Sequence, residues 1–543
     1  MEPAALAPVS SPAFDPYASK IARRAAEHGW LKWAILLAAS FGAILEVIDV
    51  SIVNVAVPDM QGNLGATLSE IGWVSTAYTM ANIIVIPLSA WLGHRFGKKR
   101  YFIFSLTGFT FASVLCGMSV NLTMLLIARA LQGLAGGGLL AKAQGILYET
   151  FPKKDQGKAT AIFGLCVIVG PAIGPALGGY LTDAFNWRWI FFINIPFGIL
   201  GVWIAYLFFL KDNPADLKKD EDVDWLGIAL LSIGLGTLQI VLEQGEQEDW
   251  FDSSFIRNSL VISAVALFFF VRHELKTPHP AVDLRVLRHR TLAVGSLYSI
   301  VLGIGLYGAM FAVPLFTQHS LNFTAAKTGL ILIPGALASA VAMIAVNIGM
   351  KRFDPRMLIA FGAIVTVVSM LQLVDINPGT GAGALFWPLV LRGFGSAMIF
   401  MPLSIATLGS LPKIDVAAGA GFFSLTRQLG SSVGIAIITT MVQKATATHR
   451  AEIVTHIDPY QAAYAERLQS GIASFTASGS DPETAQKQAI AMIDAAVNGQ
   501  SALLAYVDIF WLMVILFGLT LPLLLFFKKS DPKIAAEAAA EAH

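Results

Sequence analysis

Two carboxylates stand inside an apolar stretch near the N-terminus, Glu46 and Asp49 in Leu45-Glu46-Val47-Ile48-Asp49. Three residues apart, they share one face of a helix. A charged residue at the centre of a membrane helix costs about 2.5 to 3.5 kcal/mol on insertion scales, so such a group normally faces a cavity or a partner. Loss of water favours the neutral form of a carboxyl, which suits an acid that takes up and releases a proton. A fixed ion pair locking two helices would need the same residues. Arg129, in Ala128-Arg129-Ala130-Leu131-Gln132-Gly133, would lie about 10 Å into its own helix from the outer end, a depth close to that of Asp49. The two could pair, or the arginine could anchor to backbone carbonyls.

Lys142, Arg392 and Arg427 also fall inside apolar stretches. With Arg129 they outnumber Glu46 and Asp49, and if they line a cavity they favour lipophilic weak acids as cargo. Glu46, Gln132, Arg392 and Arg427, with the aromatics Tyr298, Tyr307, Phe422 and Phe423, are candidates for cargo contact, although packing and lipid-facing roles use the same residue types. Other chemistries lack their residues. Cys116 and Cys166 lie in apolar stretches and form no metal-ligand or disulfide pattern. Glycine runs fall within apolar helices and no Walker-type Gly-Lys-Ser/Thr is present, so neither ATP nor another cofactor is expected. With 37 basic against 36 acidic residues, nothing points to nucleic acid.

The elements that must hold these groups are membrane spans. Apolar residues make up 55% of the chain and charged residues 13%, with a mean hydropathy of +0.66, which suits lipid as the solvent. Apolar stretches of spanning length occur at about 33–57, 71–93, 101–121, 123–147, 159–182, 188–210, 224–243, 257–272, 291–315, 328–350, 357–375, 384–409, 417–442 and 503–527. The first is too long for a signal-peptide core and contains two acids, so it is expected to remain as a span. Lysine and arginine gather in alternate connections: Lys20, Arg23 and Arg24, then Arg95–Arg100, Lys153 with Lys154, Lys218 with Lys219, Arg285–Arg290, Lys351 with Arg352, and Lys528 with Lys529. That distribution predicts fourteen spans with both termini cytoplasmic. Ala128-Arg129-Ala130-Leu131-Gln132-Gly133 is echoed by Leu391-Arg392-Gly393-Phe394-Gly395, an internal repeat of the kind that builds a central site with alternating access. The expected architecture is all-α and polytopic: a cytoplasmic segment over 1–32, a six-helix bundle over 33–210, two additional helices over 224–272, a second six-helix bundle over 291–528 and a cytoplasmic tail over 529–543.

Four motifs carry a family resemblance over about residues 33 to 528: Leu45 to Pro58, the basic turn Gly93-His94-Arg95-Phe96-Gly97-Lys98-Lys99-Arg100, Arg129 to Gly138, and Gly170-Pro171-Ala172-Ile173-Gly174-Pro175-Ala176-Leu177-Gly178-Gly179. Together they resemble the major facilitator superfamily, in particular its fourteen-span drug:H⁺ antiporters of the EmrB type. The resemblance implies proton-driven efflux of hydrophobic drug-like molecules across the cell inner membrane. It implies that Arg129 helps a proton leave the acid. It gives gating roles to Gly93, Arg95, Gly97 and Lys98, and to Gly170, Gly174, Pro175, Gly178 and Gly179, whose small residues and prolines also suit tight packing alone. It further implies a periplasmic adaptor, a membrane fusion protein leading to an outer-membrane channel. The basic turn departs from the family pattern, with His94 where an aspartate is usual. An exporter of one dedicated metabolite, such as a siderophore or fatty acid, and a non-transporting sensor on the same scaffold are the competing functions.

Between the last two spans lies a polar insert over 443–502, too long for a structureless loop. Asp458-Pro459 and Asp481-Pro482 each offer an N-cap followed by proline at the first helical position. Tyr460, Tyr464, Leu468, Ile472 and Phe475 follow at helical spacing after the first, and Ala489, Ile490, Ile493 and Val497 do so before Gly499 after the second. Two short amphipathic helices outside the cytoplasm are predicted.

Overall fold

The computed structural model describes residues 17, 19–212, 222–321, 323–350, 352–377, 379–412, 415–458 and 460–524. The segment 1–16, Lys218, Lys219, Lys351, Pro459, Lys528 and the tail over 529–543 lie outside them, as does the side chain of Tyr307. Lipid offers the backbone no hydrogen bonds, so a spanning chain must satisfy them internally. Among the described residues the regular structure is helical and contains no strand.

A short helix α1 (Lys20–Glu27) precedes α2 (Leu31–Leu64), α3 (Leu68–Phe96), α4 (Lys98–Gly117), α5 (Leu122–Gly136), α6 (Leu139–Thr150), α7 (Lys153–Ala184), α8 (Trp189–Phe192) and α9 (Asn194–Phe208). An intervening pair follows, α10 (Trp225–Gln244) and α11 (Ser254–Glu274). The second half comprises α12 (Arg290–His319), α13 (Ala325–Gly349), α14 (Pro355–Val374), α15 (Phe386–Leu408), α16 (Val416–Thr455), α17 (Ala462–Ala477) and α18 (Pro482–Leu523). Twelve helical stretches among the described residues are long and apolar enough to cross a membrane. The two remaining predicted spans coincide with α7 and α16, helices of 32 and 40 residues that are rich in small residues.

Local signals set several helix starts. Thr67 and Glu70 form a capping box at α3; Asn121 and Asp224 accept backbone N–H groups at the starts of α5 and α10. The predicted fourth span is broken. At Gly137–Gly138 the chain leaves helical geometry, and Gly138 has φ +71°, a left-handed conformation that favours glycine. The break divides the span into α5 and α6 and gives α6 its own N-terminus inside the protein.

Within the first half, α7 lies along α2, and α5 lies between α3 and α4; in the second, α16 lies along α12, and α15 between α13 and α14. The halves meet through α13 on α7 and α16 on α3 and α6, while α10 contacts one helix from each half, α3 and α16. Large apolar side chains such as Trp203, Phe268, Leu337 and Trp387 are exposed around this assembly, the surface expected where acyl chains are the solvent.

The insert departs from prediction. α16 continues to Thr455, beyond the predicted end near 442. Asp481 caps the next helix and Pro482 is its first residue, but that helix runs through Gly499 to Leu523, so the second predicted amphipathic helix is the beginning of the last long one. A Cβ at Gly499 would meet nothing, and a lone glycine between good helix formers does not stop a helix. α17 starts after Gln461 rather than at the Asp458 cap, and packs on α18, with Gly471 against Ala489 and Met492. Its apolar face, Tyr464, Leu468, Ile472 and Phe475, is partly buried by this packing.

Candidate functional site

Asp49 is fully buried on α2 and sits at the centre of a polar network drawn from several helices. Its Oδ2 accepts from Arg129 Nη1 at 2.5 Å. Its Oδ1 accepts from Gln132 Nε2 at 2.8 Å and from Asn194 Nδ2 at 3.1 Å. Arg129 also donates from Nη1 to Gln132 Oε1 at 2.7 Å and from Nε to the Val74 carbonyl at 3.1 Å, and stacks over Tyr78 at 4.3 Å. Ser113 accepts from Gln132 at 2.8 Å. Charge, hydrogen bonds and ring face together compensate a cation removed from water, the condition under which a buried ion pair persists.

Glu46, less than one helical turn away, has a different environment. Its Oε1 accepts from Asn82 Nδ2 at 2.9 Å. Its Oε2 accepts the Leu140 backbone N–H at 2.6 Å, in the first turn of α6, so the break at Gly138 places a helix N-terminus against the carboxylate. Glu46 lines a cavity of about 290 Å³ whose walls include Val50, Asn54, Tyr78 and Asn82 from the first half and Phe311, Pro314, Gln318, Gln428 and Ile435 from the second. A second cavity of about 260 Å³ shares Val50, Asn54, Tyr78, Thr79, Phe311, Gln428, Ser431 and Ile435 and adds Arg129, Glu243, Gln244 and Glu246. Toward the basic turn the halves close on each other: Gln144 Nε2 donates to Ser404 Oγ at 3.5 Å, Gly145 lies against Ala417 and Ala420, and Gly157 against Asn347 and Met401. The cavities occupy the opposite end.

Asp49 and Gln132 belong to the network behind the wall, and Arg129 joins that network to the second cavity. Among the candidate cargo contacts, Glu46 lines the first cavity, whereas Tyr298, Phe422, Phe423, Arg392 and Arg427 line neither. Helical phase explains this for α16: Gln428, Ser431 and Ile435 form the stripe that faces the cavity, leaving Phe423 and Arg427 buried off it. Arg427 Nη1 has no hydrogen-bond partner, and the guanidinium lies 5.6 Å from the Phe400 ring. Arg392 Nη1 donates to the Ala309 carbonyl at 3.0 Å. Lys142 donates to Ser105 at 2.7 Å and lies over Tyr101 at 3.8 Å. Among the described residues the predicted surplus of cations is therefore absent from these two cavities: their charged wall residues are Glu46, Glu243, Glu246 and Arg129, and the last is held by Asp49.

The basic turn carries Gly97 at φ +94° between α3 and α4. A Cβ there would strike the Asp212 carboxylate, which accepts the Lys99 and Arg100 backbone N–H groups at 3.0 and 3.2 Å. A carboxylate from beyond α9 thus reaches the turn in which His94 replaces the usual aspartate. Lys98 pairs with Glu149 at 2.7 Å, Arg95 lies 5.8 Å from the Trp91 ring, and Gly93 has only Lys98 near the Cβ position. In α7, Gly170, Gly174 and Gly178 recur on one face against α2: added Cβ atoms would meet Val47, Ser51 and Ile52 respectively. Pro175, one residue on, lines the first cavity, and Gly179 is buried.

A sequence model described as Major Facilitator Superfamily matches residues 39–435. The chain belongs to this superfamily. It is 33% identical over 497 residues to the multidrug export protein EmrB of Escherichia coli K12, covering 91% of this chain and 94% of that protein. It is 32% identical over 499 residues to the fatty acid resistance protein FarB of Neisseria gonorrhoeae, covering 91% and 95%. A crystal structure of the human organic anion transporter MFSD10 superposes with a TM-score of 0.53 at 13% identity, covering 90% of this chain and 99% of that one, a likeness of fold. This member of the superfamily is a multi-pass membrane protein of the EmrB type.

Sequence reasoning missed Asn82, Asn194, Asp212, Glu243 and Gln428. Asn194 carried a legible signal, being a polar residue within the apolar run from 189 to 210. Glu243 lay at the end of a predicted span, where an acid reads as a flank.

Proposed function

We propose that this transporter exports hydrophobic drug-like molecules by drug:H⁺ antiport, with the central cavity opening to one side of the membrane at a time. The observation that carries this reading is the placement of two acids on one helix: Glu46 on the wall of an apolar and amide-lined cavity between the halves, and Asp49 behind it against Arg129. Cargo meets Glu46 and the cavity walls. Asp49 carries the proton, and its protonation removes the charge that holds Arg129 Nη1, freeing α5 to shift relative to α2. Arg129 favours the charged form of the acid and so promotes proton departure. The glycine face of α7 and the turn at Gly97 are where the halves rearrange. Fourteen spans, an inner-membrane location and cytoplasmic termini complete the reading, on the basic residues of alternate connections.

A fatty acid or other dedicated metabolite is the second reading, suggested by the likeness to FarB; carboxylates on the wall oppose an anionic cargo. The extension built from α16, α17 and α18 is the proposed docking surface for a periplasmic adaptor and, through it, an outer-membrane channel. Proteoliposomes with an imposed proton gradient test the function. Gradient-dependent efflux of chemically diverse dyes, with proton movement in the opposite sense, is the expected result. Efflux of fatty acid alone would establish the second reading, and binding without transport would leave a sensor.

A further inference from the structure

The helix pair α10 and α11 belongs to neither six-helix half, yet α10 brings a carboxylate to the central cavity. Glu243 lines the 260 Å³ region, and its Oε1 accepts from Thr79 Oγ1 and Gln239 Nε2, each at 2.7 Å. The next residue, Gln244, is buried on the same wall. It donates to Thr76 Oγ1 at 2.7 Å, while its Oε1 is buried with no hydrogen-bond partner. A carboxylate beside an unused buried acceptor calls for a ligand that brings both positive charge and N–H donors, since a buried acceptor without a partner costs about 1 to 3 kcal/mol. The Arg129 cation on this wall is engaged by Asp49. Tyr78, Phe311 and Ile435 supply apolar surface around the acid.

We propose that Glu243, with Gln244, forms a recognition site for the ammonium group of lipophilic amines, so that the accessory helix pair sets the charge preference of the cavity. The proposal rests on the reading of this cavity as the cargo site. Because α10 is hydrogen-bonded to α3 through Gln244 and to α16 through Gln239 and Ser432 at 2.9 Å, the site spans both halves, and any movement between them alters it.

The test uses the full-length transporter in lipid nanodiscs and two fluorescent probes, dansylcadaverine and its N-acetyl derivative, which differ in the charge of one terminal nitrogen. The wild-type protein is expected to bind the amine at least tenfold more tightly than the acetylated probe. Glu243→Gln should remove that preference by weakening the amine at least tenfold while changing the acetylated probe less than twofold. Glu243→Asp, which keeps the charge, should retain most of the preference and carries the test if the glutamine variant does not fold. Loss of preference in Glu46→Gln alone, or equal weakening of both probes by Glu243→Gln, would overturn the proposal. Tight binding of both probes with no preference in the wild type would sink it while leaving the cavity as a cargo site; binding of neither would remove the cargo-site reading as well.

Discussion

Arg129 and Arg392 occupy corresponding places, each on the fourth helix of its half and each reaching back to the first. Arg129 meets Asp49 on α2, whereas Arg392 donates to the carbonyl of Ala309 on α12 and, among the described residues, pairs with no carboxylate. The close packing around them is shared. In each half the fifth helix approaches the first through glycine: Gly174 and Gly178 of α7 against Ser51 and Ile52, and Gly430 and Gly434 of α16 against the carbonyls of Ile300 and Ile304. The duplicated halves therefore keep a common mechanical frame, while among the described residues only the first half sets a carboxylate against its arginine. Under the proposed antiport, this asymmetric chemistry on a symmetric frame would let one protonation event bias the relative position of two otherwise similar bodies.

The largest expected effect tests the chemical half of this contrast. Asp49→Asn should abolish uphill export in proteoliposomes, a loss of at least tenfold, while the protein still inserts; undiminished gradient-driven efflux would remove Asp49 from the coupling role. Next are the two arginines. Arg129→Ala leaves a buried carboxylate without its partner and should cost about 3 to 5 kcal/mol of stability, whereas Arg392→Ala loses one bond to a carbonyl and should cost about 1.5 to 3 kcal/mol. Thermal unfolding of the purified variants reads the difference. Adding Asp49→Asn to Arg129→Ala should recover part of the loss, and strict additivity of the two changes would contradict direct coupling.

Packing should show no such asymmetry. Gly174→Ala and Gly430→Ala each force a methyl group into the neighbouring first helix and should each cost about 1 to 3 kcal/mol. A severe effect of one and none of the other would break the idea of a common frame. The smallest effects concern helix starts facing the basic end. α4 is capped from a distance by Asp212, and α14 locally by Asp354, which accepts the Arg356 N–H at 2.9 Å. Asp212→Asn and Asp354→Asn should each lose about 0.3 to 1 kcal/mol, seen as a small fall in melting temperature that salt diminishes.

The sequence by itself determined the solvent and the sites of charge. Apolar runs of spanning length can be satisfied only as helices in lipid, and ionisable residues within them are rare enough to mark Glu46, Asp49 and Arg129 as a set. Depth along a helix is a one-dimensional quantity, so the pairing of Asp49 with Arg129 was legible from counting residues. Which residues face the cavity was decided by tertiary structure, because that depends on the rotation of each helix against its neighbours. Arg427 and Gln428 are adjacent in the chain, yet only Gln428 reaches the wall. Pairing across the chain was equally hidden, as with Asp212 at the turn of Gly97 and Asn194 on Asp49. The insert shows the same division: the cap at Asp481 was readable from two residues, but the packing of α17 on α18 was set by the fold, in which α18 continues unbroken through Gly499. Composition sets what a segment can bury, and only the fold supplies the surface against which it is buried.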